Sequence, residues 1–239
     1  MGGMTTTPPP ALVGISHGTS SPDGQAAVGA LMRGVAAANP DLTVALGFVD
    51  VQHPNPEETL TGLPTHTPAI VVPLLLSAGY HVHVDLTEAV HAVTDRSVVL
   101  AAALGPDDRL VALLQHRLAQ AGLADDDVLL LAVAGSSDPR AVADCRIVAE
   151  LLAAASGRDV SLGFLSAAAP RLADAVAAAR SAHPDRRIVV SSYLLAPGYF
   201  QSLVEKAGAD VVTVPLLTPH EPAPGLLVDV VSSRYRAAV

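Results

Sequence analysis

Short, near-continuous apolar runs alternate along the chain with segments in which apolar positions recur every three or four residues. The runs read as buried strands: Ala11–Ser16, Leu42–Val49, Ala69–Leu76 and Ser97–Leu104, then Val128–Ala134, Val160–Leu165, Ile188–Leu195 and Asp210–Leu216. The periodic segments between them read as helices. Ser21-Pro22 starts one with a cap and a first-turn proline, and it runs to about Ala38. Asn55-Pro56-Glu57-Glu58 starts a second with an acidic first turn. Others are predicted from near His81 to Val93, after Gly105-Pro106-Asp107 to near Gly122, after Pro139, from Pro170 to Ala182, after Phe200, and over Leu226–Arg236. Strands alternating with helices imply parallel sheets covered on both faces, an α/β fold.

The second half repeats the first at a nearly constant offset of about half the chain. Gly18-Thr19-Ser20-Ser21-Pro22 matches Gly135-Ser136-Ser137-Asp138-Pro139; Val44–Phe48 matches Val160–Phe164; Gly79-Tyr80 matches Gly198-Tyr199. We read an internal duplication giving two similar lobes, each a four-stranded parallel sheet flanked by helices. Residues 11–123 form the first, 124–239 the second, and 1–10 a flexible tail, with Asp125-Asp126-Asp127 at the junction.

What the copy omits is more informative than what it keeps. His17 matches Ala134, His53 matches Ala169, His81 matches Phe200, His83 matches Ser202 and Asp85 matches Val204. Scaffold positions persist in both lobes, whereas a site needed once can be lost from one. His17 and His81 each follow an apolar strand, where open α/β sheets bind ligands. They are therefore the candidate catalytic and metal-binding residues. Asp50 and His53 follow the second strand and could reach the same mouth. If a helix has begun at His81, Asp85 shares its face and can fix the imidazole tautomer, while His83 points elsewhere. His66, His91, His116, His183 and His220 read as surface residues. The Gly18–Ser21 turn is no nucleotide-binding loop, because a Gly-Lys pair is missing.

Composition narrows the classes. The chain has 239 residues, half of them hydrophobic, with no Trp and a formal charge of −9, which disfavours nucleic acid as a partner. One cysteine, Cys145, excludes an internal disulfide and falls on the apolar face of a helix. No run is long enough for a membrane span, and the first ten residues lack the regions of a signal peptide. A cytoplasmic protein is the expectation.

With these residues placed, the chain resembles the sirohydrochlorin chelatase family, among the class II tetrapyrrole chelatases. The resemblance rests on Ile15-Ser16-His17-Gly18-Thr19, on Gly47-Phe48-Val49-Asp50-Val51-Gln52-His53-Pro54, and on Pro73–Asp85 with its Gly-x-His turn. It covers nearly the whole chain after the tail, in the two-lobe long form. The resemblance implies insertion of Fe²⁺ or Co²⁺ into sirohydrochlorin, for siroheme or cobalamin, with no cofactor beyond the substrate metal. It implies His17 and His81 as the two histidines; the family often has an acidic residue near the end of the second strand, and here Asp50 or His53 lies there, so the resemblance does not fix a third residue. Gly18, Thr19, Ser20, Ser77, Gly79, Tyr80 and Phe200 are the expected substrate contacts. The partners are a tetrapyrrole and a divalent metal, and the fused lobes suggest a monomer. A non-catalytic tetrapyrrole or metal carrier, or a two-lobe small-molecule binding protein, would use the same cleft. Because the substrate is a polycarboxylate and the protein is acidic, capture needs local donors, for which the helix starts after Ser20 and Ser137 are candidates.

Overall fold

A computed structural model describes residues 9–77 and 80–239, except for the side chains of residues 80–85. In the first half the elements are β1 (Ala11–Ser16), α1 (Pro22–Ala38), β2 (Val44–Phe48), α2 (Pro56–Thr61), β3 (Ala69–Pro73), α3 (Tyr80–Ala92), β4 (Val98–Leu100) and α4 (Asp108–Gln120). The second half repeats the order with β5 (Val128–Val133), α5 (Pro139–Ser156), β6 (Val160–Phe164), α6 (Leu172–Ala182), β7 (Ile188–Tyr193), α7 (Tyr199–Glu205), β8 (Val211–Val212) and α8 (Gly225–Arg236).

The strands form two four-stranded, all-parallel sheets with orders β2-β1-β3-β4 and β6-β5-β7-β8. Register repeats as well as order. Ile15 lies opposite Gly47 and Pro73 in one sheet, and the matching Ala132 lies opposite Gly163 and Ser192 in the other. Two of the predicted strands shorten at the sheet edges. The Ser97–Leu104 run keeps only Val98–Leu100 as regular strand, although Ala101 and Leu104 still donate to Val71 and Leu75. The Asp210–Leu216 run keeps only Val211–Val212. Thr213 and Leu216 still donate to Val190 and Leu194, but Pro215 between them has no N–H to give.

Alternation along the strands sorts the apolar side chains into layers. Ala11, Val13, Ile15, Ala69 and Val71 pack outward with Leu60 of α2 and Leu86 of α3. Leu130, Ala132, Ile188 and Val190 pack outward with Leu172 of α6 and Val204 of α7. The inward faces, including Leu12, Ile70, Leu131 and Val189, share one continuous core with α1, α4, α5 and α8. Within that layer the last helix of each half crosses over. α8 packs on α1 and β3 of the first sheet, and α4 packs on α5 and β7 of the second. Sequence periodicity predicts these helices but not which sheet they cover.

Polar clasps reinforce the crossing. Arg234 of α8 donates to the carbonyls of Ala103 and Leu104 and to Asp107, while Arg109 donates to Asp107, to the Asp229 carbonyl and to Ser233. Tyr235 donates to the Pro10 carbonyl, and Asn39 donates to Ser232. The buried Arg117 of α4 reaches the Leu216 carbonyl at 3.1 Å.

Candidate active site

Strand order reverses direction between β1 and β3, since one neighbour of β1 is β2 and the other is β3. The crevice outside the carboxyl ends of such a pair is where open α/β sheets bind ligands. His17 is the first residue beyond β1, is exposed, and opens a turn closed by Ser21, which caps α1 through Gly24.

The turn is held against the loop after β2. Asp50 donates its backbone N–H to the His17 carbonyl at 2.9 Å, and Val49 donates to Ser16. Gly18 has φ +98°, and a Cβ there would collide with the Asp50 carbonyl oxygen. That position needs glycine for its conformation and for the close approach. Asp50 Oδ1 accepts from Val51 N at 2.7 Å, and Gln52 N donates back to Asp50 O at 2.7 Å. Val51 thus sits at φ +66° in a tight three-residue turn, unusual for a β-branched residue. The second lobe repeats this backbone. Ser166 donates to Ala134 O, Ala168 donates to Ser166 O, Ala167 has φ +55°, and a Cβ on Gly135 would meet the Ser166 carbonyl. The strained turn therefore belongs to the fold, and the difference between lobes lies in the side chains it carries.

Those side chains are His17, Asp50, Gln52 and His53 in the first lobe, against Ala134, Ser166, Ala168 and Ala169 in the second. His53 is 79% exposed, and its Nδ1 lies 2.8 Å from Glu58 Oε2. Glu58 also completes the α2 capping box with Asn55, and the His53 contact holds its carboxyl below the usual range. Thr19 is committed locally: its N–H donates to Gln52, its Oγ1 accepts from Ser21, and its carbonyl accepts from Gln25. Ser20 is exposed beside it.

The second lobe closes over the same region. A Cβ on Gly24 would strike the Pro197 carbonyl, and one on Gly198 would lie 3.3 Å from Thr19 Oγ1. The buried Tyr193, at the end of β7, donates to the Leu76 carbonyl at 3.1 Å. The Ser77 hydroxyl meets the buried Cys145 thiol, whose pKa burial pushes up to about 11. Ser77, expected to touch substrate, thus also bridges the lobes. At the start of α7, Tyr199 and Phe200 are 74% and 36% exposed, with ring centroids 6.0 Å apart. In a chain with three Phe and four Tyr, two adjacent exposed rings beside the Thr19 turn form an open aromatic surface.

Gly79 and the side chains of Tyr80, His81, His83 and Asp85 lie outside the described residues, so the expected approach of His81 to His17 lies there too. Among the described residues no three His, Cys, Asp or Glu side chains converge as a metal centre. A separate cavity of about 300 Å³, lined by Val49, Asn55, Pro56, Glu57, Leu86 and Ala89, lies on the outer flank between α2 and α3.

The expectation that both repeated helix starts attract anions needs correction at α5. Its cap is the buried carboxylate of Asp138, which accepts from Arg140 N and from the Arg140 guanidinium. A negative charge already occupies that dipole end. α1 carries a neutral serine cap, but Asp23 stands in its first turn. Gln52 is the residue the sequence reading passed over. The signal was present, since Gln52 is matched by Ala168 in the same comparison of halves that singled out His53 against Ala169.

Two parallel sheets with mouths turned toward one another define a two-lobe α/β protein of the chelatase type. The chain matches the CbiX family over residues 11–121 and 128–205, and it belongs to that family. It is similar to a sirohydrochlorin ferrochelatase of Priestia megaterium, 29% identical over 143 residues, taking in 57% of this chain and 53% of that protein. The chain thus matches about half the length of that curated relative. In structure it resembles SirB from Bacillus subtilis with Fe³⁺, with TM-score 0.79 and 21% identity, covering 96% of this chain and 95% of that one. It also resembles the sirohydrochlorin chelatase SirB of Bacillus subtilis subspecies spizizenii in complex with cobalt, with TM-score 0.71 and 18% identity over 96% and 95% of the two chains. These structural likenesses establish the shared fold. Among the described residues no helix is long and apolar enough to cross a membrane.

Proposed function

We propose that the chain is a sirohydrochlorin chelatase. It takes sirohydrochlorin and Fe²⁺ or Co²⁺ and releases the metallated ring with two protons from the pyrrole nitrogens. The observation that carries the reading is the His17–Asp50 apposition at the switch point of one sheet, in a CbiX-family chain whose second lobe keeps the backbone and drops the imidazole.

Imidazole suits these metals and can also accept protons near neutral pH. In this reading His17 and His81 receive the metal and the pyrrole protons, Asp50 is the acidic third group, and His53 stands beside it. Asp85 orients His81, and His83 lies on the same helix. Gly18, Thr19, Ser20, Ser77, Gly79 and Tyr80 shape the mouth. Phe200, together with Tyr199, offers a face on which the macrocycle stacks, since an aromatic there can pack but cannot ligate. No cofactor beyond the substrate metal is required. The lobes, residues 11–123 and 124–239, act as one monomer in the cytoplasm, which light scattering checks against the 24.3 kDa chain mass.

The direct test is anaerobic absorbance of sirohydrochlorin with each metal and catalytic amounts of protein. Many turnovers per chain support an enzyme. Stoichiometric binding without turnover contradicts it and identifies a carrier.

A further inference from the structure

Gln52 occupies the strained loop after β2, yet the fold does not need its side chain there. The second lobe closes the same loop, with the same backbone bonds and the same positive φ, on Ala168. The side chain is nevertheless held. Thr19 N donates to Gln52 Oε1 at 2.9 Å across the gap between the two loops. Because the Thr19 partner is an N–H, the carboxamide oxygen must face it, which settles which end of the amide is which. Nε2 is then the end of the amide that does not face the Thr19 N–H. Among the described residues that group has no acceptor. It sits two residues from Asp50 and across a hydrogen bond from the turn that begins at His17.

This arrangement meets a need the rest of the mouth leaves open. The chain carries a formal charge of −9, the α5 helix start is occupied by Asp138, and the α1 start carries Asp23 in its first turn. A polycarboxylate substrate must then find local donors that add no competing anion. We propose that Gln52 is a substrate-positioning residue, whose pinned amide presents Nε2–H to a carboxylate of the tetrapyrrole and sets the ring over His17. The proposal rests on the chelatase reading. It is tested by binding, so that its failure and the failure of that reading can be told apart.

The measurement is fluorescence titration of metal-free sirohydrochlorin into the purified full chain, alongside Co²⁺ titration without tetrapyrrole. Gln52→Glu keeps the acceptor for Thr19 but removes the donor and adds repulsion. Gln52→Ala removes the donor, and the Thr19 acceptor with it, with no added charge. Both should weaken sirohydrochlorin binding, by about tenfold or more for the glutamate, as expected for a lost hydrogen bond to a charged group. Gln52→Ala should leave Co²⁺ affinity unchanged, and Ala168→Gln should leave sirohydrochlorin affinity unchanged. Unaltered sirohydrochlorin affinity in Gln52→Ala overturns the proposal. So does parallel loss of Co²⁺ and sirohydrochlorin binding in that variant, since the amide would then act only by bracing the loop. Wild-type turnover, measured separately, decides the chelatase reading itself.

Discussion

At the scale of single residues, the site is a matter of backbone clearance before it is a matter of chemistry. Gly18 and Gly135 share a positive φ and each would drive a Cβ into the carbonyl of the facing loop. Alanine at either position should therefore cost a similar amount of stability, about 2 kcal/mol from the strained conformation and the displaced loop. The functional costs should differ. Gly18→Ala moves Asp50 against His17, and a displacement near 1 Å can lower turnover about a hundredfold. Gly135→Ala moves Ser166 against Ala134 and should leave insertion within a few-fold of wild type. Urea unfolding with steady-state insertion checks both. Equal activity losses would mean that the two mouths serve the chemistry alike. As candidates, His17 and His53 stand out in the sequence because each is a titratable residue missing from its copy, and Asp50 because it follows the second strand. Gln52 was harder to see because an amide has no charge or metal preference to advertise. Its contrast with Ala168 gains meaning only beside its bond to Thr19.

At the scale of elements, sequence periodicity predicts each helix and strand from local properties. Ser21-Pro22 and the Asn55 capping box set helix starts where the structure has them. The edge strand β8 shortens where Pro215 has no N–H to give to the ladder. The crossing of α4 and α8 leaves no periodic trace, since a helix with one apolar face does not specify which sheet receives it. The crossing rests on apolar burial and on the Asp107–Arg109–Arg234 cluster. Arg234→Met removes charged hydrogen bonds to the Ala103 and Leu104 carbonyls and should cost about 2–3 kcal/mol in urea unfolding. The same cluster gives a pH dependence. Hydrogen bonds from Arg109 hold the Asp107 carboxyl below its ordinary range, against the opposing effect of burial. A carboxyl with a depressed folded pKa stabilises the fold above its unfolded value of about 3.9, and that contribution is lost as pH falls through the folded pKa. The wild-type protein should thus hold its Tm above about pH 4 and lose it below. Asp107→Asn should flatten part of that acid limb, and a limb identical to wild type would remove Asp107 from the account.

At the scale of the whole molecule, the duplication did not leave two independent bodies. The inward faces of both sheets share one core through the middle helical layer. A fragment of residues 9–123 would lack α8 and so expose the inner surface of α1 and β3 that α8 covers. Such a fragment should show no cooperative thermal transition by circular dichroism, and a sharp transition would show that the first lobe folds alone. The second lobe is accordingly a working part. It caps the mouth through Pro197 and Gly198, ties Leu76 through Tyr193, and offers Tyr199 and Phe200 as an open aromatic face. The central claim is that metal insertion is carried out by the first lobe's imidazoles, with the second lobe as the wall. The most direct test is steady-state metal insertion by His17→Ala, His81→Ala and the double variant, each shown to be folded by circular dichroism. The account predicts losses on the order of 10²–10⁴ in each single variant, the scale of lost acid–base groups, with Phe200→Ala chiefly raising KM for the tetrapyrrole. Near-normal turnover in the folded double variant would contradict it.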